Sequence, residues 1–153
     1  MDLSRSRFSE WLAQPLLDTD LKEELLEMAD SPQKIEDAFG CELQFGTGGL
    51  RGILGAGTNR MNIHVVRRAA QATADVLNAA GLPRRAAIGY DSRIGSERFA
   101  RETACVLAAN GIETYLYPRR AVQRLQGLRP GRLPADARPS RADRGKAAVT
   151  LVL

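Results

Sequence analysis

The sequence is poor in cysteine, histidine and aromatic residues, and each shortage narrows the reading. Its two cysteines, Cys41 and Cys105, lack metal-ligand spacing and are too few for a disulfide framework, so both are expected to be reduced, buried thiols. The one histidine, His64, has no serine, cysteine or acid close to it in sequence, which favours a structural role over a catalytic one. No apolar run approaches the roughly 18 residues of a membrane span, and the opening MDLSRSRFSEWL has no charged-then-apolar export pattern. A cytoplasmic protein with no membrane partner is the expectation. At 153 residues the chain holds one ordinary domain at most.

The net charge of +4 is unevenly distributed. Residues 1–118 hold 13 Lys and Arg against 16 Asp and Glu, whereas residues 119–153 hold 9 against 2. All eight aromatic residues lie between Phe8 and Tyr117, and the last 35 positions are mostly Arg, Ala, Leu, Pro and Gly. Such a tail has too little bulky apolar content for a core, so it is expected to be poorly ordered, with Ala147 to Leu153 able to pair as a short strand. Eight tail arginines could neutralise nucleic-acid phosphates, but the tail has no aromatic residue to stack on bases and no recognisable binding motif, so a nucleic-acid partner is not expected.

Before the tail, the pattern is that of packed helices followed by a layered α/β unit. Asp18 or Thr19 can cap a helix that aligns Leu21, Leu25 and Met28 on one face, and Ser31-Pro32 opens another that Gly40 can end. Val65, Val66, Ala69, Ala72, Thr73, Val76, Leu77 and Ala80 recur at helical spacing after Asn62 as a cap, stopped by Gly81-Leu82-Pro83. Residues 84–93 give a buried strand and a polar loop, Ser96 to Asn110 a helix with Phe99, Thr103, Val106 and Leu107 inward, and Ile112 to Tyr117 a further strand.

Two places carry candidate chemistry. From Cys41 to Gly57 the string CELQFGTGGLRGILGAG contains six glycines. Glycine is entropically costly in regular structure, so the cluster calls for tight turns or for backbone approaching a ligand. Thr47, the Gly48 and Gly49 amides and the planar fork of Arg51 suit a phosphate, and a merely tight β-turn region explains the glycines equally well. The string has neither a Walker ending nor a dinucleotide fingerprint. Asp91 and Arg93 sit just past a strand's carboxyl end, where open α/β sheets bind ligands, although bracing of the loop by hydrogen bonds is the simpler role. Ser92 has no visible general base, so it is not assigned as a nucleophile.

FGTGGLRGILGAGTNRMN at Phe45 to Asn62, GYDSR at Gly89 to Arg93, and IETYLYP at Ile112 to Pro118 together closely resemble the first domain of the α-D-phosphohexomutases. The nearest branch is the phosphoglucomutase and phosphopentomutase type, whose opening helices are also similar to WLAQPLLDTDLKEELLEMA and KIEDAFGCELQFGTGG. The resemblance covers about residues 8 to 118. It implies an incomplete three-layer α/β/α domain over 41–118, preceded by a helical segment over 1–40 and followed by a poorly ordered basic tail over 119–153.

The resemblance also implies an intramolecular phosphotransferase of carbohydrate metabolism that exchanges sugar 1-phosphates with 6-phosphates or the pentose equivalents. A phosphoserine, magnesium and glucose 1,6-bisphosphate serve the intact family. Matched position by position, Arg51 would reach a phosphate, Thr47, Gly48 and Gly49 would shape its loop, Asn59 and Arg60 would lie near the same site, and Asp91 and Arg93 would support it. The departure begins after Pro118. No Thr-Ala-Ser-His-Asn-Pro nucleophile loop, Asp-Gly-Asp-Gly-Asp metal loop or Gly-Glu-Glu-Ser-Gly sugar loop occurs, so no catalytic residue and no metal ligand is assigned, and Ser140 in RPSRAD does not resemble the nucleophile. The expectations are a truncated mutase, inactive alone, that holds a phosphosugar weakly if at all and binds no cofactor tightly, or a phosphate-binding module or one piece of a split mutase with a complementary fragment as partner. A reading-frame shift at residue 119 accounts for the change of composition as a hypothesis, and translating the underlying DNA in the other two frames is expected to yield the missing serine loop. No such loop in either frame would leave an acquired tail as the explanation.

Overall fold

The computed structural model describes residues 2–46, 49–81, 83–118 and 149–152. Three helices come first, and each has a local cause. Asp2 caps α1 (Leu3–Leu12) by accepting from the Ser4 amide at 3.2 Å. In α2 (Thr19–Met28) the expected stripe of Leu21, Leu25 and Met28 is buried. Ser31 caps α3 (Pro32–Phe39) by accepting from the Lys34 amide, proline fills its first turn, and Gly40 ends it. Their apolar faces converge on Phe39, which is fully buried and meets Phe8 and Trp11 edge-on at centroid distances of 5.8 and 5.6 Å.

A two-stranded antiparallel hairpin follows, β1 (Phe45–Gly46) against β2 (Gly49–Leu50). Thr47 and Gly48, between the two strands in sequence, lie outside the described residues. Asn62 then caps α4 (Ile63–Ala79), β3 (Arg85–Tyr90) leads into α5 (Ser96–Ala109), and β4 (Glu113–Pro118) pairs parallel to β3 from Arg85↔Glu113 to Tyr90↔Pro118. A last strand, β5 (Val149–Val152), pairs antiparallel with the other side of β3, which realises the short strand expected near the end of the tail. Residues 119–148, where poor order is expected, lie outside the described residues. The sheet order is β4-β3-β5. Ala86 and Ile88 alternate onto one face and pack with Ala74 and Leu77 of α4 and Ala100, Ala104 and Leu107 of α5.

Two expectations need correction. Cys41 and Cys105 are exposed, because Cys41 lies just past the end of α3 and Cys105 points away from the face that buries Ala104. Part of the apolar pattern of α4 is also solvent-facing: Ala72, Val76 and Ala80 are exposed while Ala70 and Ala74 are buried. Small alanines let α5 approach α4 closely, so the contact selects the alanine face over the larger Val76. Among the described residues no helix is long and apolar enough to cross a membrane.

Phe39→Ala should lower the unfolding free energy by about 3–5 kcal/mol, read as a reduced urea midpoint at unchanged slope, because it removes the ring on which the three helices converge.

Candidate active site region

The glycine-rich segment is held from both sides. Gly57 takes φ +131°, and a Cβ there would lie 2.4 Å from the Ala38 carbonyl oxygen. Gly55 takes φ +146°, with Glu24 Oε1 at 2.5 Å from the same imaginary atom. Between them the Ala56 amide donates to Glu24 Oε2 at 2.9 Å. Gly57 is therefore required by the close approach of the α3 backbone and Gly55 by its positive φ, and no ligand is needed to explain them. Asn62 completes the lock. Its buried amide nitrogen donates to the Gly55 and Gly57 carbonyls, each at 2.9 Å, while its oxygen accepts from the Val65 amide at 3.0 Å to cap α4.

Asn59 and Arg60 face the N-terminal helices. Asn59 donates from Nδ2 to the Asp37 carbonyl at 3.0 Å, and Arg60 donates to the Asp37 and Asn59 carbonyls at 3.1 Å and pairs with the Asp37 carboxylate. Arg51 is different. It is exposed directly after β2 and makes no hydrogen bond or ion pair among the described residues, so its guanidinium donors are open. Leu50 beside it shares a core cluster with Phe99, which sets the hairpin against the first turn of α5. The loop leading into that turn carries Asp91 and Arg93. Asp91 Oδ1 accepts from the Arg93 amide at 3.1 Å and from Ser96 Oγ at 2.7 Å, and Asp91 Oδ2 lies 3.2 Å from Arg93 Nε. These are the contacts of a loop brace.

Sequence separation concealed a second cluster. Asp18 occupies the N-cap position of α2 without a capping bond, and its carboxylate accepts from Arg98 of α5 at 2.7 Å. Its Oδ2 faces His64 Nε2 at 3.8 Å, beyond hydrogen-bonding distance, and both atoms are buried without a hydrogen-bond partner among the described residues. Trp11 closes over the imidazole edge-on at 5.4 Å. No local motif announces an acid 46 residues upstream and an arginine 34 residues downstream of His64. A cavity of about 320 Å³ between α2, the glycine segment and the start of α5 is lined by Asp18, Asp20 and Glu24 against Arg98, a charge balance that disfavours phosphate. Among the described residues no group of three or more His, Cys, Asp or Glu is placed to hold a metal ion.

A family model for phosphoglucomutase/phosphomannomutase, alpha/beta/alpha domain I, matches residues 42–125. The chain belongs to this family. The match takes in the hairpin, Arg51, Asn62, β3 with its Asp91–Arg93 loop, and β4. Phosphoglucomutase of Staphylococcus haemolyticus is 37% identical over 53% of this chain and 15% of its own length. A probable phosphoribomutase of Schizosaccharomyces pombe is 44% identical over 48% and 13%, and phosphopentomutase of Mus musculus is 29% identical over 76% and 20%. The chain thus spans a fifth or less of the length of these curated relatives. No solved structure matches it significantly.

Burial first, then the Arg67 charge, lowers the His64 pKa, and Arg98 adds to this while Asp18 and Glu102 act in the opposite direction. A lowered folded-state pKa means that the unfolded chain binds the proton more readily. Stability from this site is therefore complete above about pH 6.5 and is lost as the pH falls through that value toward the folded pKa. Urea midpoints between pH 7.5 and 5.5 should fall for the native chain and fall less for His64→Gln, as checked by parallel titrations.

Proposed function

We propose that the chain supplies the domain I portion of a cytoplasmic phosphosugar mutase and contacts a phosphate of the sugar through Arg51 and the hairpin that carries it. The observation behind this reading is the contrast among the arginines matched to the family site: Arg60 and Arg93 are engaged by Asp37 and Asp91, while Arg51 is exposed with all its donors open. A planar guanidinium with open donors suits bidentate recognition of a phosphate dianion. Thr47 and Gly48 belong to the proposed contact by their sequence match, as does Gly49 at the start of β2.

Phosphoryl transfer needs a nucleophile and charge neutralisation positioned together. These 153 residues contain no phosphoserine loop and no metal loop of the family type, so the transfer step is assigned to other parts of a mutase and these residues alone are inactive. In that reading a complementary mutase fragment is the partner.

Purified chain with magnesium and a trace of glucose 1,6-bisphosphate is expected to show no turnover in coupled phosphoglucomutase and phosphopentomutase assays. Sugar-phosphate titrations followed by NMR should show weak binding that Arg51→Ala reduces about tenfold and Arg51→Lys reduces less, since lysine keeps the charge and loses the fork. Turnover that survives rigorous purification, or binding untouched by Arg51→Ala, would refute the assignment.

A further inference from the structure

The two sides of β3 are filled in different ways. On one side β4 pairs through six residues in parallel register, and both strands lie within the family-matched span with α5 between them. On the other side the partner is β5, four residues in antiparallel register from Ala87↔Val152 to Tyr90↔Val149, and it lies beyond the family-matched residues. β3 cannot leave that edge bare without cost. With β5 removed, the Ala87–Tyr90 stretch would present an unpaired row of amides and carbonyls, a ready template for another strand.

The occupant has a definite chemistry. Ala147 to Leu153, AAVTLVL, is the longest uncharged stretch after Pro118, and three of the four β5 residues are β-branched, in a tail otherwise interrupted by arginine, proline and glycine. Only four residue pairs hold it, and they must offset the entropy of closing a loop of nearly 60 residues.

We propose that the β3 edge opposite β4 is a strand-acceptor site, occupied in cis by Val149–Val152 and exchangeable for an extended, uncharged, β-branched strand offered in trans. Strand addition of this kind draws affinity from main-chain hydrogen bonds, so the site selects backbone shape and lack of charge before side-chain identity. The inference rests on backbone pairing and is independent of the phosphosugar reading.

Antiparallel pairing directs the amides of neighbouring residues to opposite edges, so of Thr150 and Leu151 one donates toward β3 and the other away from it. The test compares the full chain with its Thr150→Pro and Leu151→Pro variants by hydrogen exchange at Ala87–Tyr90, with the α4 amides as the folding reference. One proline should speed exchange at the amides facing β5 by about tenfold or more and the other should be tolerated, since proline is accepted in an edge strand only where its missing donor faces solvent. A synthetic AAVTLVL peptide at millimolar concentration, comparable to the effective concentration of a tethered strand, should restore the lost protection. In the unsubstituted chain the same peptide carrying a photoreactive group should cross-link to β3. Native protection in both variants, failure of the peptide to restore it, or cross-links scattered over the surface would overturn the proposal.

Discussion

The segment from Gly55 to Asn62 is the joint on which the molecule depends, and the Asn62 side chain holds it. One amide group takes two glycine carbonyls and caps α4, while Glu24 takes the Ala56 amide from the opposite side. The N-terminal helices and the α/β part consequently share structure at this point: Ala56 belongs to the core of the helices, and Met61 to the core of the hairpin and α4. A side chain at position 57 would strike the Ala38 carbonyl, so the two parts approach each other only because glycine stands there.

Charge reinforces the same joint. Asp18 at the start of α2 meets Arg98 of α5 and His64 of α4, and the carboxylate satisfies the arginine while leaving the imidazole neutral and sheltered under Trp11. Neutral histidine suits a site that already holds two guanidinium groups nearby, Arg67 and Arg98, because a third positive charge would be partly desolvated among like charges. The joint therefore combines a backbone fit that is insensitive to pH with an electrostatic contact that is not. Arg51 lies outside this network.

Most of the local structure was legible. Ser31-Pro32, Asn62 and Gly111 marked helix ends because capping is a short-range matter of donors and acceptors, whereas Asp18 sits at the start of α2 without a side-chain cap, its carboxylate taken by Arg98. The buried face of α4 was less legible, since alanine and valine both fit a helical stripe and only the approach of α5 determines which is covered. Cys41 and Cys105 show the same limit: a preference for burial does not fix which side of an element a residue faces. At the candidate site the glycine cluster called for tight turns or an approaching ligand, and at Gly57 the explanation is the Ala38 backbone, far away in sequence.

The sequence by itself determined the family and the order of the elements, because these are matters of residue type and short spacing. Tertiary structure decided which arginine stays open, which acid meets His64 and which strand covers the second edge of β3. Those outcomes depend on residues tens of positions apart competing for the same donors and the same backbone edge, and a competition of that kind is settled only when the chain is folded.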